Sequence, residues 1–169
     1  MMLDVAIEAD SEWDSSTRWA PLVRTAAEAA VAASAFPELA TCDCHVELSV
    51  RLTDDEEVKA LNARWRGKDR PTNVLSFPQL GREEIEAADP NGPELMLGDV
   101  VLARGVCERE AREKAIPIED HAAHLIVHGT LHLLGYDHQD DETAAEMESR
   151  EVSALARLGI ANPYQESGS

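Results

Sequence analysis

The sequence is short of aromatic residues, cysteine and positive charge. Phe, Trp and Tyr together make up 4% of its 169 residues, so alanine and the aliphatic side chains must fill most of any core. Cys42, Cys44 and Cys107 are an odd number of thiols. With no export signal in view, the expectation is a reduced, cytoplasmic chain and not a disulfide-stapled secreted one. The start, MMLDVAIEADSEW, carries acids and no basic segment, unlike a secretory leader. No apolar run reaches the ~20 residues that a bilayer span needs, which argues against a membrane protein. Lys and Arg number 15 against 33 Asp and Glu, a net charge of −18. Taken alone, that surplus speaks against nucleic acid, because phosphate-binding proteins usually present a basic surface.

What is present points to a packed globule. Apolar residues make up 44% of the chain, too many for a disordered segment. The length suits one domain, residues 1–169, with a sizeable core.

Periodicity divides the chain into alternating elements. LDVAIEA (3–9) and HVELSVRL (45–52) alternate apolar and polar side chains and predict strands. Between them, the Ala-rich stretch 16–35 predicts a helix that stops before Pro37. Thr53 followed by Glu56 reads as a capping box that opens a helix through about Trp65. RGKDRP is then a loop, TNVLSFP a short strand ending at Pro78, and 79–94 an aperiodic loop. ELMLGDVVLA (94–103) predicts another strand, followed by helices over 104–116, 118–135 and 140–159. The order β-α-β-α-β-β-α-α-α favours an α+β fold: a small mixed four-stranded sheet packed with about five helices.

Two clusters carry chemistry. The first is HGTLHLLGYDH, where His128, His132 and His138 fall at i, i+4 and i+10 around Gly135. On a helix, His128 and His132 share a face. A helix ending at Gly135 lets His138 return to the same point. Three imidazoles leave the fourth position of a tetrahedral zinc open, the pattern of a catalytic site and not of a closed structural one. The spacing invites comparison with zinc proteases of the HExxHxxGxxH type, but position 129 is Gly where those enzymes carry their general-base Glu. The second cluster is RWRGKDR, which gathers Arg64, Arg66, Lys68 and Arg70 into seven residues of an otherwise acidic chain. CDCH at 42–45 is not expected to be a metal site, since no partner pair of cysteines exists elsewhere.

The HGTLHLLGYDH stretch resembles the signature of the YbeY family, the metal-dependent endoribonucleases and ribosomal RNA maturation factors of bacteria. LNARWRGKDRPTNVLSFP (61–78), LGDVVLA (97–103) and HAAHLIVH (121–128) resemble further blocks of that family, and the likeness covers roughly residues 45 to 164. The resemblance implies an α+β fold with the metal site in a cleft, one zinc per chain held by His128, His132 and His138, and a functionally important arginine at Arg66. It also implies a cytoplasmic, zinc-dependent, single-strand-specific endoribonuclease. Such an enzyme would act on small-subunit ribosomal RNA precursors in maturation and quality control, with small-subunit ribosomal proteins as further partners and no role for DNA or membrane.

The chemistry of those residues suits the task. A zinc with three histidines lowers the pKa of bound water to about 7 and polarises a phosphoryl oxygen. The forked, permanently charged guanidinium of Arg66 suits charge developing on a scissile phosphate, and Lys68 and Arg70 suit its neighbours. Whether hydroxide or the RNA 2′-hydroxyl attacks stays open. Asp137 is equally a turn residue and an orienting carboxylate, and Tyr136 is similarly open. His121 and His124 are expected to pack, although they share a broad face with His128. Asn73 and Ser76 could line a cleft or serve the strand. A second reading is a non-catalytic assembly factor that keeps a structural zinc, which the acidic charge favours; a metalloprotease is a third.

Overall fold

The computed structural model describes residues 3–9, 13, 19–40, 46–87, 94–136 and 140–163. Four strands, β1 (Leu3–Ala9), β2 (Val46–Thr53), β3 (Val74–Pro78) and β4 (Leu95–Ala103), form one sheet in the order β1-β2-β4-β3. β1 and β2 pair in parallel, as do β2 and β4, while β3 is an antiparallel edge strand on β4. The helices are α1 (Trp19–Ala33), α2 (Asp55–Arg66), α3 (Arg82–Glu86), α4 (Arg104–Lys114), α5 (Ile118–Leu133) and α6 (Asp141–Arg157). The fold is therefore α+β with a mixed four-stranded sheet, as the element order suggests.

Side-chain alternation along the strands sorts the core onto two faces. Val46, Leu48, Val50 and Leu52 of β2 and Val100 and Leu102 of β4 join the main core. There they meet α1, α5 and α6, which pack on one another. Leu75, Val101 and Ala103 point the other way and form a smaller cluster with Val58 of α2. The scarcity of aromatics shows in the helix that carries the main packing: α1 buries Ala26, Ala27, Ala29, Ala30 and Ala33 along with Val23 and Val31. Cys107 is a free thiol buried in α4; Cys42 and Cys44 lie outside the described residues.

Three details differ from expectation. Thr53 does not cap α2. It remains in β2 opposite Ala103, and Asp54, the first residue beyond the ladder, caps the helix by accepting from the Glu57 amide at 2.8 Å. The stretch 79–94, expected to be a loop, contains the five-residue α3. Residues 37–40 add a short 3-10 turn. The helix count is thus six α-helices among the described residues where about five were expected.

Gly129 explains how α5 reaches the sheet. A Cβ placed there would lie 2.7 Å from Val100 Cγ1 of β4, so the helix can pack this closely only because position 129 has no side chain. The same contact leaves no room for the glutamate that a HExxH protease needs at that position. Gly129→Ala gains about 1 kcal/mol of helix propensity but overpacks the core by about 1–3 kcal/mol. The expected net loss of about 1 kcal/mol lowers the melting temperature by about 2–4 °C for a domain of this size. Thermal unfolding followed by circular dichroism measures it, and an unchanged melting temperature would mean that Val100 swings aside.

Candidate active-site cleft

Helix α5 begins behind Pro117 and carries Glu119 and Asp120 in its first turn, where carboxylates complement the helix dipole. It is buried nearly all round because α1, α4, α6, β3 and β4 surround it. His128 and His132 are the half-buried exceptions near its end. One turn apart, their rings stand edge to face with centroids 4.7 Å apart. The helix stops at Leu133, and Gly135 adopts φ 98°, a conformation that residues with a Cβ rarely take. The chain thus turns directly after His132, as the glycine predicts. Asp137 and His138 lie outside the described residues.

Facing these rings is the end of α2. The Gly67 and Lys68 amides donate back to the Ala63 and Asn62 carbonyls, closing the helix in a Schellman-like turn. The buried Asn62 side chain donates forward to the Arg70 carbonyl at 2.8 Å. These bonds pin the RGKDR loop to the helix. Arg66 is the last residue of α2, not part of the following loop as expected from a helix ending near Trp65. Its Nη2 donates to the Ser76 carbonyl of β3 at 2.9 Å. Arg66, His128 and His132 consequently line one cleft of about 470 Å³, with Ser76, Pro78 and Tyr136 among its walls. Lys68 and Arg70 line a smaller hollow of about 150 Å³ that shares Arg66 and Val74 with the cleft.

The remaining candidates separate cleanly. Ser76 lines the cleft. Asn73 instead donates to Glu110 at 3.0 Å and accepts from the Val74 amide. Tyr136 lines the cleft, but its hydroxyl accepts from the Ala35 amide at 2.9 Å, tying the turn to the end of α1. His121 and His124 do not line this cleft. They border a separate hollow of about 480 Å³ with Lys114 and Asn162, and both are buried. His121 Nε2 lies 2.8 Å from Glu110. Burial lowers the pKa of this imidazole despite that carboxylate, which favours the neutral ring.

Sequence reasoning missed Glu151. It is fully buried in α6 at 0% exposure, and one of its oxygens, Oε1, lies 3.0 Å from His124 Nε2 and 3.0 Å from His128 Nδ1. Burial alone would raise the carboxyl pKa. Hydrogen bonds from the two imidazoles, and their charge, outweigh it and hold the pKa down at about 2. The signal was present in the sequence: Met147, Glu151, Ala154 and Leu155 form the buried stripe of α6, so an acid occupies a core position.

Two of the three expected metal ligands therefore share the cleft. Among the described residues no group of three or more His, Cys, Asp and Glu is arranged to hold a metal ion. The residues present fit a zinc in their chemistry: two imidazoles one helical turn apart on one cleft wall, one of them with its second nitrogen hydrogen-bonded to a buried carboxylate, the usual companion of a metal-bound histidine.

The architecture and cleft define an α+β protein with a histidine-bearing helix laid against the edge of a mixed sheet. Residues 8–159 match the family described as Endoribonuclease YbeY. The chain is 53% identical over 164 residues to the Endoribonuclease YbeY of Sphingopyxis alaskensis, covering 96% of this chain and 98% of that one. It is 54% identical over 160 residues to that of Novosphingobium aromaticivorans, covering 94% and 93%. The solution structure of TM1509 from Thermotoga maritima shares the fold, with a TM-score of 0.53 at 23% identity over 96% of this chain and 99% of that one. This chain belongs to the YbeY endoribonuclease family.

Proposed function

We propose that the protein is a zinc-dependent endoribonuclease that cleaves single-stranded RNA, with small-subunit ribosomal RNA precursors as its substrate and ribosome maturation and quality control as its setting. The observation that carries the proposal is the convergence of His128, His132 and Arg66 on one cleft from two separate helices. Zinc bound by His128, His132 and His138 would supply a Lewis acid and a water acidic enough to ionise near neutral pH. Arg66, held over β3 by the Ser76 carbonyl, turns a guanidinium towards the phosphate and stabilises the charge that builds there as the phosphodiester breaks. Lys68 and Arg70 hold neighbouring phosphates, a local basic cluster on a chain of net charge −18. No helix among the described residues is long and apolar enough to cross a membrane, in keeping with a cytoplasmic enzyme.

The acidic surplus favours the second reading, a factor that docks on basic small-subunit ribosomal proteins without cutting RNA. One experiment separates the two. A labelled single-stranded RNA and the same sequence annealed to its complement are incubated with purified protein, with chelator-treated protein, and with treated protein given zinc. The enzyme reading requires cleavage of the single strand, its loss with the metal and its return with zinc. Intact RNA in the presence of a full complement of zinc would overturn it in favour of the non-catalytic factor.

A further inference from the structure

The carboxylate of Glu151 occupies a place where packing alone calls for a hydrocarbon. Its neighbours along the α6 stripe are Met147, Ala154 and Leu155, all buried. Acids are almost never fully buried unless paired, and burying a charge is costly unless its hydrogen bonds are satisfied. Leucine or methionine would fill the position without that cost. A physical reason for the acid has to lie in what its oxygens touch, and those partners are His124 and His128 of α5.

An ionised carboxylate accepts hydrogen bonds and cannot donate them. With both ring nitrogens 3.0 Å from Oε1, His124 carries its proton on Nε2 and His128 carries its proton on Nδ1. The hydrogen bond made by one imidazole nitrogen decides which nitrogen is left to ligate. Proton-bearing Nδ1 makes Nε2 the ligating nitrogen of His128, on a ring that borders the cleft together with His132.

We infer that Glu151 is the positioning residue of the site: from inside the core it fixes the tautomer and ring orientation of His128, while His124, bonded to the same oxygen from the turn before, braces the carboxylate. The inference rests on the zinc reading of the cleft and adds a residue to it from a helix outside the histidine motif. The brace, His124, borders a hollow separate from the cleft, which it shares with His121. The ligand ring is thus clamped by two helices, and neither the α5 backbone nor the cleft surface alone sets its angle.

The test uses the full chain labelled with ¹⁵N-histidine. In metal-free parent protein at a pH where imidazoles are neutral, long-range ¹H–¹⁵N spectra read each ring's tautomer directly. The expected result is an Nδ1-protonated His128. An Nε2-protonated His128 in the parent overturns the inference without any variant. Two substitutions follow, Glu151→Leu, which keeps the volume and removes the acceptor, and Glu151→Gln, which keeps a carbonyl oxygen at the same place. Zinc affinity is measured by competition with a chromophoric chelator. Loss of such a supporting carboxylate typically weakens metal binding by about 10–100-fold. Glu151→Leu should show that loss together with a mixed His128 tautomer, and Glu151→Gln should recover part of both. Zinc binding by Glu151→Leu equal to the parent's sinks the inference and leaves the zinc site standing. A parent that binds no zinc sinks the zinc reading itself. If Glu151→Leu does not fold, the parent tautomer and the Glu151→Gln affinity still decide.

Discussion

His132→Ala should yield a folded protein that no longer holds zinc and no longer cuts RNA. His132 is half-buried at the wall of the cleft near the end of α5, so alanine there leaves little unfilled core and suits a helix. If zinc sits on the proposed three-histidine set, removing one imidazole takes away a third of its protein ligands, and the metal should leave with its chemistry. Removing a single stabilising hydrogen-bond donor typically costs ~10²–10³ in rate; loss of the whole metal function should cost at least about 10³. A stability signature accompanies it. A ligand that binds only the native state adds about 2.7 kcal/mol when present at 100 times its Kd. Zinc should therefore raise the melting temperature of the parent and leave that of His132→Ala unchanged. Elemental analysis, RNA cleavage and thermal unfolding on the same samples check all three. Full cleavage by a zinc-free variant would remove the metal from the reaction.

The parts of the fold with long periodicity were legible in the sequence. The alternation of HVELSVRL became β2, and the helix ending near Gly135 became α5, its histidines on one face. Where elements were misread, the cause is local. Thr53 and Asp54 are both competent caps, and only the pairing of Thr53 with Ala103 assigns it to the strand. α3 is five residues long, too short to show a period. Strand order β1-β2-β4-β3 depends on contacts far apart in sequence, which periodicity does not encode. In the site, Arg66 stands out only through the likeness to the YbeY family; by composition alone its basic cluster reads equally as a solvated loop at a helix end. Glu151 does not stand out in the sequence because it is one of 33 acids and lies outside the histidine motif. It becomes visible only when the buried stripe of α6 is lined up against α5.

Arg66→Lys should cleave RNA about 10²–10³-fold more slowly while keeping its zinc and nearly all its stability. The arginine is exposed at the end of α2, and its hydrogen bond to the Ser76 carbonyl contributes on the order of 0.5–1.5 kcal/mol. That bond does more for geometry than for stability. With Nη2 anchored on β3, the guanidinium plane has a fixed orientation at the cleft that contains His128 and His132. Lysine keeps the charge but loses the planar fork, and a single ammonium cannot hold the strand carbonyl and two phosphate oxygens in the same geometry. Lysine should therefore bind RNA with the parent's salt dependence, since that slope counts phosphate charges neutralised, yet stabilise the breaking phosphodiester poorly. Cleavage rate, zinc content and the salt dependence of RNA binding form the set of measurements. Parent-like cleavage would make Arg66 a solvated charge whose contact with Ser76 serves only to fasten α2 to β3. Loss of zinc along with activity would make it a support of the histidine site. Slow cleavage with full zinc and an unchanged salt slope identifies a group that acts on the phosphate as the bond breaks.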